Sequence, residues 1–239
     1  GNTARAVALA SGEYIKVLHD DDVLHDTCIS RLLGAFELAP HAALASCRRR
    51  LIDASGRPLA DELATAFPRH ADLLIDGADL VDFLADHTVN FIGEPSTVMC
   101  RRQAMLAFGD RLAFLGERRI SWVADLALYV KLLRSGPLAM LSTALVDFRV
   151  SPHQFSQAGR DRPGIGEPGH QAFREAIRAL GWYRGGDTRR VGVARLDGSE
   201  PTVKVDLAEA LDNALRHARH QQPVLDWAMH RRLNAAQLR

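Results

Sequence analysis

Three consecutive carboxylates, Asp20, Asp21 and Asp22, follow directly on Tyr14-Ile15-Lys16-Val17-Leu18-His19, a short β-prone run. Adjacent Asp side chains repel one another, so a fold keeps them together only where water or a cation neutralises them. Alone, the triplet reads as a solvated turn ahead of a helix, because Asp favours turns and helix N-termini. The apolar run before it points instead to a buried strand ending in a metal site. Hard oxygen ligands suit Mg²⁺ or Mn²⁺, and α/β sheets collect their ligands at the carboxyl ends of strands. A further carboxylate, Asp125, opens a helical pattern just after Trp122. It has the chemistry of a general base, although the backbone dipole also favours an acidic residue in a first helical turn.

Composition narrows the function classes. The chain of 239 residues is 47% hydrophobic and 25% charged, enough to bury a sizeable core in one or two domains. Lys and Arg number 30 against 29 Asp and Glu, so no global field draws the protein to nucleic acid, and a bound anion must be held locally. Cys28, Cys47 and Cys100 are odd in number and widely separated, as expected for reduced packing residues of a cytoplasmic protein. No apolar run approaches the roughly 18 residues that span a bilayer, and no signal-peptide pattern is present. The expected location is cytoplasmic, with a peripheral place at the inner face of the membrane left open.

The elements that must position these residues alternate in type. A helix over 1–12 closed by Gly12 runs into a strand over Tyr14 to Leu18. Asp26 or Thr27 caps a helix bearing Ile29, Leu32, Leu33 and Phe36, which Pro40 stops. Strand character at 42–47 and 97–101 brackets a helical pattern over 79–86, and a further helix covers Trp122 to Arg134. Leu138 to Leu141 and Leu145 to Val150 read as two strands. Gly, Pro, Arg and Asp accumulate over 159–169 and mark a boundary. Beyond it come a helix over 171–180, a hairpin turning at Asp197-Gly198, and helices over 207–220 and 224–238.

Four segments in order resemble the second half of the catalytic domain of the family 2 glycosyltransferases. Ala4-Arg5 and Ala10-Ser11-Gly12-Glu13-Tyr14-Ile15 lead into Leu18-His19-Asp20-Asp21-Asp22, similar to that family's A-R-N, A-x-G-E-Y-I and L-D-x-D-D. Gly93-Glu94-Pro95-Ser96-Thr97-Val98-Met99-Cys100-Arg101 resembles its acceptor-side G-x-P-S segment. Ala124-Asp125-Leu126 resembles the E-D helix that supplies the base, and Asp147-Phe148-Arg149-Val150-Ser151 with Ser156 resembles the closing Y-R-x-H segment. The order is more specific than any single match.

The resemblance covers about residues 1–157 and implies an α/β, GT-A-like fold: a mostly parallel sheet flanked by helices, N-terminally incomplete. A smaller, mainly helical C-terminal appendage over 158–239 follows the catalytic part at 1–157. It implies a metal-dependent, inverting glycosyltransferase that moves a sugar from a nucleoside-diphosphate-sugar, a UDP-sugar above all, to a glycan or other hydroxyl acceptor, in building a polysaccharide or glycoconjugate. Asp22 and Asp21 are then ligands of Mn²⁺ or Mg²⁺, with Asp20 and Asp21 on the donor side and Asp125 the base. Arg5 contacts the diphosphate or is a surface helical arginine, and His153 approaches the diphosphate or is an exposed loop residue. Trp122 stacks on a sugar or belongs to the core.

Departures are His19 in place of a common Asp, Ala6 in place of Asn, Ser151 in place of His, and no counterpart of the family's nucleotide-binding front portion. They suggest a fragment of a longer protein with a neighbouring domain, or a degenerate relative. The rival reading is a non-catalytic GT-A-like interaction module. A D-x-D phosphatase using Asp20 and Asp22 is weaker, lacking the Thr expected after the second Asp.

Overall fold

The computed structural model describes residues 2–151 and 164–219. The expectations for His153, Ser156, Trp227 and a helix over 224–238 lie outside the described residues.

Helix α1 (Asn2–Leu9) precedes β1 (Tyr14–Lys16), the Asp turn, and β2 (Val23–Leu24). Next come α2 (Cys28–Leu38), β3 (Leu44–Ile52), β4 (Leu73–Ile75) and α3 (Gly77–His87). After these run β5 (Val98–Arg101), α4 (Arg102–Leu106), the small hairpin of β6 (Phe114–Leu115) and β7 (Arg118–Arg119), α5 (Ala124–Leu133) and β8 (Leu138–Arg149). Helix α6 (Glu167–Ala179), β9 (Arg190–Arg195), β10 (Val203–Asp206) and α7 (207–219) complete the described chain.

The main sheet has the order β1-β5-β3-β8-β4-β9-β10, with β2 also on β8. It is mixed: the long central pair β3 and β8 is parallel, from Leu44 opposite Leu138 to Ile52 opposite Arg149, and the flanking pairings are antiparallel. The expectation of a mostly parallel sheet thus describes its centre. The strands on either side arrive without a crossover that would align them with β3.

Two predicted boundaries change for stated reasons. Strand β3 runs on through Arg48, Arg49 and Arg50 because each arginine meets a carboxylate, respectively Asp61, Glu94 and Asp147. The two strands expected at 138–150 are one strand, β8, whose pairing with β3 absorbs register shifts between Cys47 and Arg49.

Helices cover both faces. Leu80 and Leu84 of α3, Leu126 and Val130 of α5, Phe173 and Ile177 of α6, and Leu207 and Leu211 of α7 share one core with Leu44, Leu138 and Val193. Leu32, Ala35 and Phe36 of α2 bury the other face with Cys47, Met99 and Leu141. Each such large apolar side chain contributes about 1.5–3 kcal/mol by leaving water.

The described part of the segment expected as an appendage, 164–219, therefore shares the main core. Its predicted hairpin forms, turning at Gly198 with φ 71°, and β9 extends the sheet through β4. A clamp of charges reinforces this junction. Arg184 donates to Asp79 at 2.8 Å and to Asp82 at 2.7 Å, Lys204 also meets Asp79, and Arg178 and Tyr183 donate to Asp86. Trp122 sits beneath the start of α6, where a Cβ on Gly166 or Gly169 would strike it at 2.4 Å, so packing accounts for this aromatic. The three cysteines are free and buried.

Candidate active site

The Asp turn closes against the end of β8. Asp22 is 8% exposed, and its Oδ1 accepts a hydrogen bond from the Arg149 amide at 3.0 Å. The Arg149 side chain donates from Nε to the Asp21 carbonyl at 2.9 Å and from Nη1 to the Asp53 and Ala54 carbonyls at 3.1 and 3.2 Å. One arginine thus fixes the turn that carries the carboxylates.

Ligand atoms of His19, Asp21 and Asp22 lie within 4.8 Å of one another. Asp20 is exposed in the turn and stands outside this group. Burial pushes the Asp22 carboxyl above its ordinary value, while the nearby Ser96 hydroxyl and the Arg149 amide hold it down. Its Oδ2 is buried without a hydrogen bond of normal geometry among the described residues. An orphaned carboxylate oxygen beside a second carboxylate and an imidazole is a donor set that fits a divalent cation. The imidazole favours Mn²⁺ over Mg²⁺, which takes oxygen ligands.

The segment Gly93 to Thr97 backs this group. The His19 amide donates to Ser96 Oγ at 3.0 Å, and Lys16 Nζ donates to the Ser96 carbonyl. Burial pushes the Lys16 ammonium below its ordinary value. Gly93 has φ 115°, and a Cβ there would meet Thr97 Oγ1 at 2.1 Å, so this turn requires glycine.

The same segment reaches Asp125. Asn90 clasps Gly93 through two hydrogen bonds of 3.1 Å and donates from Nδ2 to Asp125 Oδ2 at 2.5 Å. Asp125 Oδ1 accepts from the Leu126 amide at 2.8 Å. Burial, joined by the charge of Glu94, pushes the Asp125 carboxyl up to about 6, against the Leu126 amide and Arg49. That places a carboxylate where it can take a proton near neutral pH.

Sequence reasoning did not single out Arg49, Asn90, Glu94 or Tyr129. Arg49, 2% exposed, forms an ion pair with Glu94 and donates to the Asn90 carbonyl at 3.1 Å. Tyr129, one turn beyond Asp125, buries its hydroxyl without a hydrogen-bond partner among the described residues. The only available signals were the Arg48-Arg49-Arg50 run inside a strand and the spacing of four between Asp125 and Tyr129.

On the other side of Asp22, Arg50 holds Asp147 through bonds of 2.7 and 2.9 Å, and His25 lies 3.6 Å from Asp147. Burial works against ionisation of Asp147, but Arg50 and His25 outweigh it and hold the carboxyl below its ordinary value. These residues line an open cleft of about 380 Å³ with Val23 and Thr27. Arg5 lies elsewhere, exposed on α1 and lining a cleft with Val7, Met105 and Asp110.

No protein-family model matches the chain, and no curated protein matches it. Among the described residues no helix is long and apolar enough to cross a membrane.

Proposed function

We propose that this chain carries the cation and acceptor parts of a GT-A-like glycosyltransferase resembling family 2, transferring a sugar from a nucleoside-diphosphate-sugar to a hydroxyl with inversion. The observation that carries this reading is the position of one short segment between two clusters. Ser96 contacts the His19 turn, while Gly93, three residues earlier, shares Asn90 with Asp125. Arg149 closes the same turn from the fourth motif. Segments that resemble the family in order along the chain are therefore neighbours in space.

His19, Asp21 and Asp22 are the residues that would hold Mn²⁺ or Mg²⁺, which when bound offsets the charge growing on the leaving diphosphate. Asp125 accepts the proton of the acceptor hydroxyl as its oxygen attacks the anomeric carbon from the face opposite the nucleotide. The Asn90 amide orients that carboxylate, leaving its remaining lone pairs for the acceptor.

Calorimetric titration of UDP into the chain, with and without Mn²⁺ and beside the Asp21→Ala/Asp22→Ala double variant, tests this reading. Binding that requires Mn²⁺ and is lost in the variant is expected. A folded chain that binds no UDP under any of these conditions refutes a donor site within these residues and leaves a scaffold.

A further inference from the structure

More charge surrounds Asp125 than a lone base requires. Asn90, from the loop before Gly93, donates to Asp125 at 2.5 Å. Arg49 of β3 donates to the Asn90 carbonyl at 3.1 Å and pairs with Glu94 of the Gly93 to Thr97 segment, so a continuous chain of contacts joins Glu94 to Asp125, with Tyr129 of α5 one turn on. Cys100 of β5 also faces Tyr129, but burial pushes its thiol up to about 12, so it stays neutral.

The charges do not balance. Glu94 and Asp125 bring two negative charges, Arg49 brings one positive charge, and that guanidinium is committed to Glu94. The Asn90 amide orients Asp125 without neutralising it. A half-buried carboxylate left in this state is costly, and a proton is the smallest group that completes it. The Tyr129 hydroxyl, buried and without a hydrogen-bond partner among the described residues, adds a neutral group on the same side.

We propose that Glu94, anchored by Arg49, is the positioning residue of this site: its charge faces Asp125, and Arg49, Glu94 and Asp125 together form a unit with one proton vacancy. This rests on reading Asp125 as the base. During transfer, the hydroxyl proton fills the vacancy on Asp125, the new C–O bond forms, and the old C–O bond breaks with its electron pair leaving on the diphosphate. Asp125 then gives the proton to water, while Glu94 undergoes no covalent change.

Opposite responses to two neighbours distinguish this unit from simple packing. With ¹³C-carboxyl labels on Asp and Glu, NMR titration of the whole chain reads each carboxyl, and Asp125→Asn assigns the Asp125 signal. Glu94→Gln should lower the Asp125 midpoint by about one pH unit, Arg49→Met should raise it, and Arg49→Lys should return it towards the parent value. In the unaltered chain the Glu94 carboxyl should also show an inflection at the Asp125 midpoint, a readout that needs no variant.

An unmoved Asp125 midpoint in folded Glu94→Gln, or a Glu94 signal blind to Asp125, overturns the proposal. Failure of UDP to bind beside an intact coupled titration removes the transfer reading alone. Loss of the coupling beside Mn²⁺-dependent UDP binding removes this inference alone.

Discussion

The backbone amide of Arg149 donates to Asp22 Oδ1 across 3.0 Å, joining positions 127 residues apart. The last strand of the central pair therefore holds the first carboxylate cluster directly. One oxygen of Asp22 is spent on this bond, and the other is buried without one among the described residues.

That second oxygen makes cation-free Asp22 a liability. Because burial raises its folded value, the chain gains stability as pH falls through that value and loses it above. Asp22→Asn should stabilise the cation-free chain by about 1 kcal/mol at pH 7. It should also abolish any rise in Tm produced by Mn²⁺. Urea and thermal unfolding with and without Mn²⁺ check both effects, and a variant that keeps the Mn²⁺ response is incompatible with ligation by Asp22.

For Asp125, transfer should climb as pH rises through about 6 and then level off. Asp125→Asn should retain donor binding and lose roughly a hundred- to ten-thousand-fold in rate. Equal losses in donor affinity and transfer would mean that Asp125 is not the base. Its raised value also makes the native state bind more protons than the unfolded chain between 3.8 and about 6, so stability falls as pH rises across that window. The variant should flatten that slope in a pH series of denaturant midpoints.

Removing the buried cation should be expensive. Arg49→Met leaves two facing carboxylates without their positive partner and should destabilise the fold by about 3–5 kcal/mol. Arg49→Lys should lose less, because the charge remains while the planar donor geometry is lost. Urea unfolding at pH 7 ranks the three proteins, and equal stability of Met and parent chains would contradict a charge role for Arg49.

At the junction of α3 with the β9–β10 hairpin, Asp82 is 3% exposed and accepts from both the amide and the Nε of Arg184. Asp82→Ala should destabilise by about 1–2 kcal/mol, with little from the half-exposed Arg184 charge itself. Hydrogen exchange should quicken over 182–206 and stay slow in β3. Uniform quickening across the sheet would show that the clamp has no local role.

Local patterns made several parts of this architecture readable. The run before the Asp triplet does form a strand, but a short antiparallel one at the sheet's edge, ending at Lys16 with only Ile15 buried, rather than the buried strand expected to Leu18. The helical repeat of Leu32, Leu33 and Phe36 and the Asp197-Gly198 turn each depend on residues adjacent in sequence. Strand β3 did not, because Arg48, Arg49 and Arg50 look like a solvated turn until Asp61, Glu94 and Asp147 are brought to them. The join within β8 was hidden by Ser142 and Thr143 for the same reason: a polar pair breaks the apolar run, while the pairing with β3 continues across it. At the site, the Asp21 and Asp22 cluster was legible as repulsion needing an answer. Its third member, His19, is adjacent in sequence, whereas the chain of contacts from Glu94 through Arg49 and Asn90 to Asp125 depends on chain crossings that spacing does not encode.

Strict alternation along β3 would send Arg49 to the same side of the sheet as Ala45 and Cys47, which pack with α2. The register shifts around Arg48 turn it instead towards Glu94 and Asn90. A layer on the α5 side thus receives a cation because β8 loops out residues opposite β3, Cys47 pairing with Leu141 but Arg49 with Val146.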